Sequence, residues 1–376
     1  MKKIHIAKPS ITEKEIAYVN DAVANGWAEH CYDYVYKYTN LLKDYYDVPH
    51  VIPTSSGHGA LHIILMALDI GPGDEVIVPD LTWIGSVAPI SWLGAKPVFV
   101  DVHKESLCLC PKKTEEAISD NTKAIIVVHP YGNVAPMGDF IELGKKYSLP
   151  IIEDAAEAIG SKYYEKNVGS IGDFAIISTH GTKMYTTGEG GALLTNRSDM
   201  IEKLTLIENQ GRHPSKRTSF WVDGLGLKYK ISNIQSALGC AQIERIDQLV
   251  NRRIEIFETY RTELASLDNI TLNPKPKGIV NSYWQPTVIL GESYKINLQE
   301  RNRILDEFNS IGIALRPVFY PVSMFPMYDS VKTNEVSYYV FERGFNLPSY
   351  FELNNDDIKY VCDLFAKEVK KLQSKI

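Results

Sequence analysis

The chain has 376 residues, 44% hydrophobic and 23% charged, with a formal net charge of −6. That length exceeds what one hydrophobic core usually serves, so two domains are expected. The acidic balance, without any basic stripe, argues against a nucleic-acid binder, and no apolar run approaches the roughly 18 residues that cross a bilayer. The first residues, "MKKIHIAKPSITEKEI", lack the apolar run and small-residue cleavage site of a secretion signal. Five scattered cysteines point to a reducing, cytoplasmic setting. Cys108 and Cys110 lie in "LCLC", where a strand would turn both to one face. Without further ligands at CxxC-like spacing, no metal site is expected.

Along the chain, Ser55, Ser56, Gly57 and Gly59 precede the helical run "HGALHIILMALDIG". Four apolar runs follow that read as strands: "DEVIVP" (74–79), "KPVFVDV" (96–102), "KAIIVVHPYG" (123–132) and "PIIEDAA" (150–156). They are apolar throughout rather than alternating, as parallel strands covered on both faces are. The segments "IGSVAPISWLGA" and "MGDFIELGKKYS" between them carry helical spacing. "GDFAIIST" and "GGALLTN" read as two more strands. "NIQSALGCAQIERIDQLVNRRIEIFETYRTELASL" predicts one long amphipathic helix or two, and "NPKPKG" a break. Beyond it come a strand in "YWQPTVIL", a helix in "RNRILDEFNSIG", a strand in "IALRPVFYP" and a last helix over about 355–371. The alternation predicts an α/β fold: a mainly parallel central sheet with flanking helices in residues 1–250, and a smaller C-terminal α+β domain in 251–376.

Between the last two strands of the large sheet lies "STHGTKMYTTGEGG" (178–191), where Lys183 stands among threonines and glycines instead of charges. In open α/β sheets ligands lie beyond the carboxyl ends of the strands, and "IIEDAA" puts Asp154 at such an end. An amine facing a carboxylate across a cofactor-sized gap suits pyridoxal phosphate. A turn of small residues at a helix start, Ser55 to Gly59, suits its phosphate. Trp83, just after another strand, could cover its ring. Each residue alone also has a plainer reading: Asp154 as a helix N-cap, the glycine turn as a capped helix start, Trp83 as a core side chain.

Taken together, "IIEDAAEAIGS" and "STHGTKMYTTGEGGALLTN" resemble the paired signature of the DegT/StrS family of sugar-nucleotide aminotransferases. Five further segments are similar to family segments: "GDEVIVPDLTWIGSVAPI", "VHPYGNVAPM", "YKISNIQSALGCAQIERID", "RPVFYPVSMFPMY" and "RGFNLPSY". The resemblance implies the aspartate-aminotransferase fold type I, pyridoxal 5'-phosphate as cofactor, and a homodimer with active sites at its interface. It implies Lys183 as the Schiff-base lysine, Asp154 as partner of the pyridine nitrogen, and Trp83 as the stacking aromatic. Gly57, His58 and Ser178 would hold the phosphate. Glu157 takes a position, usually Gln or His, beside the ring substituents. Asn233 matches a segment reaching the other subunit's site. His58 replaces the family's usual threonine, and Lys228 stands where many members have Asn and could reach a phosphate. The region 27–38 lacks the usual Ser/Gly-rich turn.

The activity implied is transfer of an amino group from L-glutamate to a nucleotide-linked keto sugar. Glu157 and "RPVFYPVSMFPMY" resemble the subgroup making GDP-perosamine, which points to GDP-4-keto-6-deoxymannose or a similar 4-keto sugar. Arg212, Lys230, Lys228 and Arg316 are candidate cations for the acceptor's diphosphate, and Tyr320 and Tyr283 for contacts to sugar or base. For these, surface salt bridges and core packing are the plainer readings, and Glu189 reads equally as an interface partner or a solvated turn residue. The alternatives are a 3-keto or non-nucleotide acceptor and a non-catalytic cofactor-binding regulator. A dehydratase with histidine in place of the lysine does not fit, since His180 stands three residues too early.

Overall fold

The computed structural model describes residues 3–213 and 220–373. Its centre is a seven-stranded sheet in the order His50–Thr54, Gly191–Thr195, Phe174–Ser178, Ile151–Asp154, Thr122–Val128, Glu75–Pro79, Lys96–Val100. Gly191–Thr195 runs against its neighbours, and the remaining pairs among the other strands are parallel. The mainly parallel sheet expected from the apolar runs is present. Alternate residues serve opposite faces: Val76, Val78, Ile126 and Ile152 pack in one buried cluster, Ile77, Ile125, Val127 and Ile151 in another. Covering both faces is why these runs show no polar alternation.

His50–Thr54 was not legible as a strand, because Pro53 reads as a breaker. At the sheet's edge a missing N–H is tolerated, and Pro53 pairs with Ala192. The helix Gly57–Ala67 follows at once, its N-cap Ser56 accepting the Gly59 amide at 3.0 Å. The "LCLC" stretch forms no strand. Leu107 adopts a left-handed backbone (φ 59°), only a Val102–Leu109 bridge forms, and Cys108 is buried while Cys110 is partly exposed.

A four-stranded antiparallel sheet, Ile270–Leu272, Thr287–Leu290, Gly344–Asn346 and Arg316–Pro317, occupies the C-terminal third. The long amphipathic segment resolves into two helices, Asn233–Ile243 and Ile246–Glu263. The second runs through residue 250, so a boundary there would cut a helix. Ile4 packs in the C-terminal cluster with Phe308 and Phe365, its amide bonded to the Gly312 carbonyl. Among the described residues no helix is long and apolar enough to cross a membrane.

The six co-directed strands deliver residues 54–58, 80–83, 129–131, 154–157 and 178–183 to one edge of the sheet. The turn after Asp154 closes at Gly160 (φ 87°), where an added Cβ would sit 2.3 Å from Val250 Cγ2. Both the backbone and the long helix therefore demand glycine. Gly160→Ala is expected to destabilise the protein by about 1–3 kcal/mol, read as a lower urea-unfolding midpoint with unchanged slope.

Candidate active site

Asp154 closes its strand and is buried. One carboxylate oxygen accepts the Ser86 hydroxyl at 2.7 Å, and the other accepts the Ala156 amide at 3.1 Å. The local turn bond and the pocket-edge position thus coexist. Ser86 lies 3.0 Å from the Thr82 hydroxyl, so with its own proton on Asp154 it accepts from Thr82. Ser86 ends the short helical turn Ile84–Ser86, which begins beside Trp83.

Three residues on, Glu157 is also buried. Its Oε1 accepts from Lys183 Nζ at 3.1 Å and its Oε2 from the Tyr131 amide at 3.1 Å. Burial pushes the Glu157 carboxyl above its usual range, while Lys183 and the Tyr131 amide pull the other way. Tyr131 provides that amide from a left-handed backbone (φ 58°, ψ 16°). Its hydroxyl oxygen accepts the Phe319 amide at 2.7 Å, so the C-terminal half holds it there.

The loop carrying Lys183 is folded by its threonines. Thr179 and Thr187 hydroxyls meet at 2.6 Å, Thr186 Oγ1 donates to the Thr179 carbonyl, and Thr186 Oγ1 accepts the Gly188 amide at 2.8 Å. The run of hydroxyls is therefore the loop's internal scaffold rather than merely a lack of bulk. The Lys183 side chain is 13% exposed. Tyr185 is buried against Tyr38, their hydroxyls 2.7 Å apart. Glu189 is exposed, 3.5 Å from His180 Nε2.

At the other end, a Cβ on Gly57 would lie 3.3 Å from both the Ile177 carbonyl and Ser178 Cβ, so the helix start abuts Ser178. A helix leaves its first N–H groups without intrahelical acceptors. Ser56 takes those of Gly59 and Ala60, which leaves Gly57 and His58. The His58 ring stacks on Trp92 at 5.8 Å, and burial holds its pKa below the usual value, against the pull of Asp154. A Cβ on Gly85 would touch both Trp83 and His58, so these two flank one spot. Trp83 is 56% exposed, with Phe319 its ring neighbour at 6.2 Å. Lys183, Asp154, Glu157, Trp83, Gly57, His58 and Ser178 thus lie along one sheet edge.

The remaining candidates scatter. Lys228 and Lys230 flank Tyr229, whose carbonyl accepts the Ser55 amide, and so border the helix start. Lys230 is 3.4 Å from Asn209 Oδ1 and 4.0 Å from buried Glu208. Burial raises Glu208, with Lys230, Lys228 and Arg212 opposing. Arg212 is exposed and bonds Gln210. Arg316 is an exposed strand residue. Tyr320 accepts from the fully buried Arg301 at 3.2 Å. Tyr283 is a core residue, its ring stacked on Phe257 at 3.7 Å. Asn233 is committed to its own chain: its carbonyl accepts the Tyr34 amide, and its NH₂ points to the Gly26 and His30 carbonyls. Ser86, Tyr131, Phe319 and Trp284 were missed, and only "VHPYG" placed Tyr131 near a strand end.

An amine and two carboxylates beyond the carboxyl ends of a parallel sheet define a class of fold. The Streptococcus pneumoniae protein Spr1654 in its PLP form superposes with a TM-score of 0.90 and 27% identity, covering 99% of this chain and 100% of that one. 3-Amino-5-hydroxybenzoic acid synthase, at 22% identity, shares the fold with a TM-score of 0.91. The architecture is the expected aminotransferase fold type I. The chain belongs to the DegT/DnrJ/EryC1/StrS aminotransferase family, whose model matches residues 9–366. It is 37% identical over 364 residues to a GDP-perosamine synthase of Escherichia coli O157:H7, covering 96% of this chain and 98% of that one. It is 36% identical over 366 residues to a GDP-perosamine synthase of Caulobacter vibrioides, covering 96% and 97%.

Because Glu157 is raised, the folded chain holds its proton more tightly than the unfolded chain does. Its contribution to stability is fully present below the ordinary value of 4.5 and is lost as pH rises through the raised value. Ligand-free Glu157→Gln leaves Lys183 without its countercharge at every pH, and its melting temperature is expected to lack the fall that the parent shows as pH rises through the raised Glu157 value. Scanning calorimetry across that range checks it.

Proposed function

We infer that the chain is a pyridoxal-phosphate-dependent aminotransferase that moves the amino group of L-glutamate to a nucleotide-linked keto-deoxy sugar. GDP-4-keto-6-deoxymannose, or a 4-keto sugar like it, is the acceptor the perosamine-synthase relatives favour. The observation that carries the reading is Lys183, a nearly buried amine at the same sheet edge as Asp154.

The residues fit the cofactor on three counts. Asp154 is a buried carboxylate whose bonds to Ser86 and Ala156 fix its plane, as partnering a ring nitrogen requires. The helix start at Gly57 and His58 offers amides without intrahelical acceptors beside Ser178, a setting for a phosphate. Trp83 has an exposed ring to cover a flat group. When bound, pyridoxal phosphate supplies an aldehyde that exchanges amines and a ring that draws electrons from the bond being broken. Lys183 Nζ would take the proton from the α-carbon of glutamate and deliver it to the cofactor carbon that receives the amino nitrogen. Asp154 would keep the ring nitrogen charged, and Glu157 would stand beside the ring substituents. Lys228 would add charge at the phosphate, and Lys230, Arg212 and Arg316 would meet the acceptor's diphosphate, with Tyr320 beside the sugar.

We also propose a cytoplasmic homodimer, with the neighbours of Asn233 at the interface while Asn233 itself stays bonded within its own chain. The exposure of Tyr36, Phe220, Trp221 and Leu225, large apolar side chains, supports a covered surface.

Borohydride reduction of the holoprotein is expected to leave a pyridoxyl label on Lys183 alone. Glutamate should bleach the visible absorbance, and a panel of nucleotide keto sugars should restore it with an aminated product detectable by mass spectrometry. Lys183→Ala is expected to lose at least about 10²-fold in turnover. A label elsewhere, or a spectrum indifferent to glutamate, would overturn the assignment.

A further inference from the structure

Trp284 has no role in the reading above, yet it touches the lysine loop twice, once at Lys183 and once at Thr182. The ammonium lies 4.2 Å from the centre of its indole ring. The indole N–H donates to the carbonyl of Thr182, the residue just before the lysine, at 2.7 Å. The ring is buried and lies parallel to Tyr131, 6.4 Å away with a 2° interplanar angle. Tyr131 in turn gives its amide to Glu157, whose other oxygen accepts Lys183. The amine therefore has a carboxylate on one side and an aromatic face on another, and Tyr131 ties the two together.

We propose that Trp284 is a positioning residue: with Glu157 it forms a holding site for the Lys183 ammonium whenever that amine is not covalently engaged. The catalytic meaning rests on the aminotransferase reading, whereas the holding site is a property of the cofactor-free chain. Lysine is among the side chains with most rotamer freedom, so an amine released during turnover would otherwise sample many solvent-facing positions. The face of tryptophan attracts a cation more strongly than that of tyrosine or phenylalanine, and more so where water is excluded. The Nε1–H bond fixes the ring relative to the lysine's own backbone, so the face follows the loop. The site also gives a reason for glutamate at position 157, because neither glutamine nor neutral histidine supplies a countercharge to an ammonium.

The test uses cofactor-free protein, reductively methylated with ¹³C-formaldehyde, and compares the N-methyl resonances of its lysines. The Lys183 signal is the one absent from Lys183→Ala. A methylated amine over an indole face is shifted upfield by the ring current, so the signal is expected upfield of the other lysines. Trp284→Phe, which keeps a ring but loses the N–H, should retain part of that displacement. Trp284→Leu should bring the signal back among the surface lysines and raise the initial methylation rate of Lys183 severalfold. Circular dichroism verifies that the variants are folded. A parent signal lying among the other lysines overturns the proposal even if Trp284→Leu fails to fold, as does a folded Trp284→Leu whose signal stays displaced. A failure of the aminotransferase reading would appear in the borohydride and glutamate experiments on holoprotein and would leave this resonance unmoved.

Discussion

A buried ammonium needs a countercharge, and Lys183 finds one in Glu157 at 3.1 Å. Losing either partner would strand the other in a poorly solvated place, so the pair constrains everything around it. Glu157 is held by the Tyr131 amide, which is presented only because Tyr131 adopts a left-handed backbone. That conformation is in turn held by the Phe319 amide on the Tyr131 hydroxyl. The C-terminal half thus reaches the lysine through three bonds and one residue of left-handed backbone. Trp83, Phe319, Tyr131 and Trp284 continue the same connection as a row of neighbouring rings.

The strand that carries Asp154 shows how one two-residue period serves two tasks. Asp154 faces the pocket edge, while Glu153 points to the opposite side of the sheet. There Glu153 accepts the amides of Gly169, Ile171 and Gly172 and lies 3.3 Å from buried His129 Nε2. The neighbouring His129 ring and these amide bonds hold its carboxyl below the usual range despite full burial. Adjacent carboxylates therefore divide into a loop anchor and a candidate cofactor ligand, a division the letters "ED" do not announce. Two further strand ends use the same chemistry. Asp80 accepts the Ser323 amide and hydroxyl and the Asn334 amide group, and Asp101 accepts the Ser337 amide and hydroxyl. Both fasten the 322–337 segment to the large sheet.

Much of this fold was legible because strands covered on both faces write themselves as continuous apolar runs, and six of the seven central strands, the antiparallel Gly191–Thr195 among them, appeared that way. The His50–Thr54 strand was hidden by Pro53, which only its edge position permits. In the site, Lys183 stood out by its uncharged surroundings, and Asp154 and the glycine turn by their places at element ends. Tyr283 and Asn233 looked equally available, but packing on Phe257 and bonds to Gly26, His30 and Tyr34 commit them elsewhere.

The sequence by itself determined the parallel sheet, the family signature and the candidate residues for chemistry, since these depend on short-range periodicity and on side-chain type. Tertiary structure alone decided that Ser86 orients Asp154 across 68 residues, that Trp284 reaches the lysine loop across 102, and that Phe319 holds Tyr131 across 188. Such partners leave no local pattern. Each is chosen by which loops the strand order brings to one edge, and by the cost of leaving a buried polar group without a bond.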